Sequence, residues 1–243
     1  MRDDQNAVAL VTGGNRGIGR ALCKQLAEAG MLVLLAGRDA AGGEEAARSM
    51  KNLKGRVDFL TMDVTDPESI RAAEEVVRRQ YGRLDVLVNN AALYLDEGKR
   101  LTEIDPSLLE LILKTNTLGP YHVIRAFLPL MQARQYGRIV NISSGYGEAA
   151  AMDHPGTGAY KLSKLALNAL TRLIASEITP DIKINAVCPG WVRTGDGRAC
   201  GSTQRRGSRR FDHLADSAGR GWPKRRLLPG WSAYCLVAAT SIT

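Results

Sequence analysis

No stretch of this 243-residue chain approaches the roughly 18 consecutive apolar residues that a membrane-spanning helix needs. The opening "MRDDQNA" is polar and acidic, unlike a signal sequence, so a soluble, cytoplasmic protein is expected. Cysteine is scarce. Cys23, Cys188, Cys200 and Cys235 form no CxxC pair and no metal-ligand spacing, which points to free thiols in a reducing compartment and away from a disulfide framework or a zinc site. Histidine is scarcer still, three residues in all, and with no cluster of ligands in the sequence no metal is expected. Acids fall short of bases by eight, yet that shortage is local: residues 195–243 hold nine of the 33 Lys and Arg but only three of the 25 Asp and Glu. The body of the chain is nearly neutral, so its charge gives no reason to expect a polyanionic partner.

What is present is enough apolar residue, 44%, to fill the core of one α/β domain. Short apolar runs recur: "AVALVT" (7–12), "MLVLLA" (31–36), "VDFLTMDV" (57–64), "LDVLVNN" (84–90), "GRIVNISS" (137–144) and "KINAVCPG" (183–190). Runs without polar alternation suit strands covered on both faces. Between them lie helix signals. Ile18, Leu22, Leu26 and Ala29 repeat at helical spacing up to Gly30, and Asp66-Pro67-Glu68 reads as a cap, a first-turn proline and an early acid. Strand alternating with helix predicts an α/β fold with a doubly wound parallel sheet of Rossmann type, its ligands lying beyond the carboxyl ends of the strands.

The first strand runs into "TGGNRGIG" (12–19) and then a helix. Glycines at 13, 17 and 19 permit a tight turn, a close backbone approach to a pyrophosphate and close helix packing, while the helix N-terminus offers free N–H groups to the anion. Tyr160 and Lys164, in "YKLSK", are four apart on a periodic helix and so share a face. A phenol titrating near ~10 is a poor proton donor and acceptor at neutral pH, and a neighbouring ammonium favours its anion.

With these motifs the chain resembles the short-chain dehydrogenase/reductase family. The resemblance continues through Asp63 in "MDVTD", "NNAA" at 89–92, Asn116 in "KTNTLGP", "NISS" at 141–144 and "CPGWVRT" at 188–194, covering nearly all of 7–194. It implies a catalytic set of Asn116, Ser144, Tyr160 and Lys164: Tyr160 as acid/base, Lys164 as its activator, Ser144 as partner of the substrate oxygen and Asn116 as organiser of a helix irregularity. For a nicotinamide dinucleotide it implies Gly13, Asn15, Arg16, Gly17, Ile18 and Gly19 at the turn, Asp63, Val64 and Asn90 further along, Tyr160 and Lys164, and Pro189, Gly190, Val192 and Thr194. The passages "GGNRGIG", "YLDEG", "VNISSG" and "VCPGWVRT" look most like carbonyl reductases acting on aldehydes and ketones.

Cofactor type turns on "AGRD" at the end of the second strand. Arg38 there suits a 2′-phosphate, with Arg16 as a second phosphate partner, so NADP(H) is favoured over NAD(H); Asp39 either caps the next helix or serves a ribose hydroxyl. Three features depart from the family pattern. The interval from Ser144 to Tyr160 is three residues longer than its commonest form, which leaves Ser143 as a competitor and makes "GYGEAAAMDHPGTG" an expanded substrate-side loop containing His154. Ala92 replaces the usual glycine, at a cost on the order of 1 kcal/mol if that backbone needs positive φ. After Thr194 the text turns to "TGDGRACGSTQRRGSRR", where the family has a substrate-loop helix and a final strand.

For the arginine-rich stretch three readings compete. A nucleic-acid arm is disfavoured by the lack of interleaved aromatics, and a substrate loop of this length is unusual. The third is a shifted reading frame: permitted codons for Gly195–Trp231, read from the second base of the Asp196 codon, yield a family-like continuation. We therefore divide the chain into a catalytic domain, 1–194, and a basic tail, 195–243, disordered or out of frame, which leaves the sheet without its usual C-terminal strand. The expected partner is a small carbonyl or alcohol, and monomer and homo-oligomer both remain open. A catalytically impaired cofactor-binding protein, or a non-catalytic protein with a basic nucleic-acid-contacting tail, is the alternative.

Overall fold

The computed structural model describes residues 7–189. In it, β1 (Val8–Thr12), β2 (Leu32–Gly37), β3 (Arg56–Thr61), β4 (Val86–Asn89), β5 (Gly137–Ile142) and β6 (Ile182–Val187) form one sheet. Every pairing is parallel, and the strand order is β3-β2-β1-β4-β5-β6. Helices α1 (Gly17–Glu28), α2 (Ala40–Arg48), α3 (Pro67–Gln80), α4 (Pro106–Leu113), α5 (Gly119–Ala133) and α6 (Gly158–Glu177) make the connections. This is the doubly wound architecture expected from the alternation of runs.

The apolar runs become strands because both faces are covered. All five residues of β1 are buried. Val8 and Leu10 point into one core with Leu34, Val77, Phe127 and Met131, while Ala9 and Val11 point into the opposite one with Leu22, Leu26 and Ala46. Successive side chains leave a strand on opposite faces, so β1 is apolar up to Thr12 at its carboxyl end. Each fully buried Leu, Val or Phe contributes roughly 1.5–3 kcal/mol. The two layers therefore hold the sheet between α3 and α5 on one side and α1 and α2 on the other.

Local signals decide where elements stop. Asp66 accepts from the Glu68 N–H at 3.0 Å with Pro67 in the first turn of α3. Gly30, at φ +97°, turns the chain away from α1. β3 ends at Thr61, so Asp63 and Val64 lie in the loop beyond its carboxyl end. β1 pairs with β2 on one side and β4 on the other, so the connections leaving β1 and β4 run to opposite faces and open a crevice between them. Among the described residues no helix is long and apolar enough to cross a membrane. Gly190, Val192, Thr194, the expected absence of a last strand and the tail 195–243 lie outside the described residues.

Candidate active site

The crevice is floored by the glycine turn. Gly13 and Gly17 adopt φ +62° and +52°, the left-handed region that glycine occupies at least cost. A Cβ on Gly19 would overlap the Gly13 carbonyl oxygen. Asn90 locks this turn, its Nδ2 donating to the carbonyls of Thr12 (2.9 Å) and Gly13 (3.1 Å). In return Thr12 Oγ1 accepts from the backbone N–H groups of Asn90 and Ala91, both at 3.0 Å. Asp39, Asp66 and Asp105 cap α2, α3 and α4, whereas Arg16 at the head of α1 supplies no side-chain cap. The first-turn amides of α1, including those of Ile18 and Gly19, are thereby left to an incoming anion. Left-handed glycines, a position with no room for a side chain and an uncapped helix start fit the pyrophosphate of a dinucleotide, with Asn15 half-buried and Arg16 exposed beside it.

Arg38 stands exposed just beyond β2. Asp39, left open between two roles by the sequence, accepts from the Gly42 N–H at 3.2 Å and so caps α2. Asp63 accepts from Thr65 N–H (2.8 Å) and Thr65 Oγ1 (2.7 Å). Burial works to raise the Asp63 carboxyl, but the two Thr65 hydrogen bonds and the charges of Arg38 and Lys114 outweigh it and hold the group below its usual value. Val64 is buried against Gly119, where a Cβ would stand 3.1 Å from the Val64 carbonyl oxygen.

Tyr160 sits in the first turn of α6 with Lys164 one turn later. Lys164 is only 2% exposed; its Nζ donates to the Ile142 carbonyl at 2.7 Å and lies 5.5 Å from the centre of the Tyr160 ring. Burial pulls this ammonium from 10.5 down to about 8, against an upward pull from Cys188. The group is still protonated at neutral pH, a cation held in a dry place beside a phenol. Asn116 lies at the centre of a π-helical turn, Lys114–Leu118, between α4 and α5. Its side chain both accepts from Leu93 N–H (2.7 Å) and donates to the Leu93 carbonyl (2.9 Å), and it reaches Ser163 Oγ at 3.0 Å. The extra residue per turn turns Asn116 inward at the junction of the β4 loop and α6.

The two serines differ in engagement. Ser143 Oγ donates to Asn168 Oδ1 at 2.6 Å and is buried, whereas Ser144 is half-exposed and accepts from the Tyr146 N–H at 3.2 Å, leaving its own hydroxyl proton for another acceptor. The expanded loop folds as two 3₁₀ turns, Gly145–Gly147 and Ala149–Asp153. Lys161 Nζ fastens it by donating to the His154 carbonyl at 2.7 Å, while the His154 side chain is exposed. His122 is half-buried on α5, its ring 5.4 Å from that of Tyr121. Among the described residues the non-glycine positions with left-handed φ are Gln135 and Thr157, so Ala92 incurs no such cost. Pro189, past the end of β6, is half-buried.

Several residues at the site had no place in the sequence reading. Tyr94 and Tyr146 stand edge-on to Tyr160, with ring centres 4.7 and 6.2 Å away. Tyr146 could have been found two residues beyond Ser144. Ser163 donates to the Tyr160 carbonyl at 2.7 Å and is bridged to Asn116; its spacing of three from Tyr160 was the available signal. Thr12 at the end of β1 and Asp96 in the β4 loop carried none, because their partners are far away in sequence.

A glycine turn leading into an uncapped α1 at the switch point, together with Tyr160 and Lys164 on α6, suits an oxidoreductase of the NAD(P)-binding kind. The sequence model of the short chain dehydrogenase family matches residues 7–204, and the chain belongs to that family. It is 34% identical to carbonyl reductase (NADPH) 3 of Mus musculus, over 80% of this chain and 85% of the relative. A metagenomic short-chain oxidoreductase solved in complex with NADP is 34% identical, with a TM-score of 0.69 over 76% of this chain and 82% of that one. An NAD+-bound xylitol dehydrogenase is 32% identical, with a TM-score of 0.71 over 76% of this chain and 70% of that one.

Proposed function

We propose that the chain is an NADP(H)-dependent carbonyl reductase that interconverts a small aldehyde or ketone and its alcohol. The observation that carries this reading is the buried Lys164 ammonium 5.5 Å from the Tyr160 ring. When bound, the nicotinamide supplies or takes up the hydride at the carbonyl carbon. The chain supplies everything else. Ser144 Oγ donates a hydrogen bond to the carbonyl oxygen as negative charge gathers there. Tyr160 passes its phenolic proton to that oxygen, which leaves a phenolate that the Lys164 cation stabilises. Asn116 holds the β4 loop and α6 in register so that these groups stay together.

The choice of NADP(H) rests on Arg38 at the end of β2 and Arg16 in the turn, two guanidinium groups suited to a 2′-phosphate. Asp39 supports it in part, because one of its carboxylate oxygens is spent on capping α2. The NADPH-linked mouse relative and the NADP complex agree with this, and the NAD+-bound xylitol dehydrogenase marks the competing outcome. The test is nicotinamide absorbance with a panel of aldehydes and ketones. Faster consumption of NADPH than NADH supports the reading; NADPH that binds but reduces no carbonyl overturns it.

For residues 195–243 the reading remains a basic tail outside the native frame. Sequencing the coding DNA tests it: an extra base near the Thr194 codon is expected, and an intact frame overturns the idea. Comparing this chain with its frame-restored counterpart for NADPH binding and carbonyl reduction then measures what the usual ending contributes.

A further inference from the structure

The loop after β4 carries a carboxylate that takes no part in the chemistry described above. Asp96 is fully buried; its Oδ2 accepts from the backbone N–H of Ala159 at 2.8 Å and of Tyr160 at 3.2 Å. Its other oxygen, Oδ1, has no hydrogen-bond partner among the described residues. α6 needs this help. Its own N-cap, Thr157, offers no side-chain cap and sits at φ +60°, so the first-turn amides would otherwise be orphaned in a buried place.

The same loop grips the same turn by other contacts. Gly98 N–H donates to Thr157 Oγ1 at 3.2 Å, Thr157 N–H donates to the Lys99 carbonyl at 2.8 Å, and the Tyr94 ring meets the Tyr160 ring edge-on. One of the two amides that Asp96 holds is that of Tyr160 itself. Helix ends fray more readily than helix interiors, and Tyr160 is the third residue of α6, whereas Lys164 is fixed a turn deeper by the Ile142 carbonyl. Loosening the first turn therefore moves the phenol relative to an ammonium that stays put.

We propose that Asp96 is a positioning residue for Tyr160, clamping the first turn of α6 to the β4 loop so that the phenol keeps its place beside Lys164. The proposal rests on Tyr160 being the acid/base of the reaction. Its test compares Asp96→Ala, Asp96→Asn and Tyr160→Phe in the full chain, by NADPH consumption with an aldehyde and by amide hydrogen exchange. Asp96→Ala is expected to lower kcat about ten- to a hundredfold while KM for NADPH changes less than about twofold, as a misplaced reacting group does. Asp96→Asn keeps an oxygen for the two amides and is expected to recover most of that loss. Exchange across 158–161 should quicken in Asp96→Ala and return in Asp96→Asn, with the far end of α6 unaffected.

An unchanged kcat in Asp96→Ala, or equal losses in the Ala and Asn variants that track a common fall in melting temperature, overturns the proposal. Unchanged exchange at 158–161 overturns it even where turnover is too slow to follow. If Tyr160→Phe stops turnover while Asp96→Ala does not, only the role of Asp96 fails. If Tyr160→Phe turns over normally, the reading of Tyr160 fails and the clamp loses its purpose with it.

Discussion

Replacing Lys164 by methionine should make the ligand-free protein more stable while removing its turnover. The buried ammonium binds its proton less tightly in the folded chain, at about 8, than at its ordinary value of 10.5. At ~1.4 kcal/mol per pKa unit, that difference disfavours the folded state by about 3 kcal/mol wherever the lysine is charged in both states. Methionine fills similar volume without charge, but forfeits the hydrogen bond to the Ile142 carbonyl, at a cost of about 1 kcal/mol. The net gain of about 2 kcal/mol at pH 7 should raise Tm by about 4–8 °C for a protein of this size.

The pH dependence has a definite sign. Because the folded pKa is depressed, the unfolded chain binds more protons between pH 8 and 10.5, so the parent recovers stability as pH rises through that window. The advantage of Lys164→Met is therefore full below pH 8 and should mostly vanish by pH 10. Thermal melts of both proteins at pH 7 and pH 10 decide the matter. A variant no more stable than the parent at pH 7, or a gap of the same size at both pH values, refutes the claim that the site holds a strained, dry cation.

Three further predictions concern single contacts. Ser144→Ala should lower kcat by about a hundredfold or more, while Ser143→Ala, which loses its bond to Asn168, should cost about 1 kcal/mol of stability and leave kcat within a few-fold; the reverse ranking in steady-state assays would exchange the two assignments. Arg38→Asp should weaken NADPH binding at least about tenfold more than NADH binding, since charged hydrogen bonds are worth ~1.5–3 kcal/mol, and equal changes in fluorescence titrations would remove Arg38 from the phosphate site. Gly19→Ala puts a methyl group onto the Gly13 carbonyl and should weaken dinucleotide binding at least about tenfold, overpacking of this kind costing about 1–3 kcal/mol; an unchanged affinity would mean that the turn is not the pyrophosphate cradle.

The sheet could be read from the sequence because its chemistry is written locally. A run such as "MLVLLA" cannot be left half in water, and Asp66-Pro67 announces a helix start by itself. Helical spacing puts Tyr160 and Lys164 on one face, but their candidacy as a catalytic pair came from the surrounding motifs and the family resemblance, since the spacing alone also fits an ordinary surface pair. The helix irregularity at Asn116 was legible only through the family resemblance, because "KTNTLGP" by itself reads as ordinary helix until the Leu93 backbone is available to pair with Asn116. The different engagement of the two serines was not legible, because Asn168, the partner of Ser143, lies 25 residues away. Asp96 was hidden still further: "YLDEG" reads as a loop, and the helix it caps begins more than sixty residues later.

In the proposed reaction one phenol, kept beside a buried cation, passes the proton to the substrate oxygen. The direct measurement is kcat for NADPH-dependent aldehyde reduction in Tyr160→Phe, with NADPH affinity measured by fluorescence on the same protein. NADPH binding should be unaltered and kcat should fall at least about a hundredfold, the usual worth of a positioned general acid. A Phe variant that binds NADPH and turns over at the parent rate would contradict it.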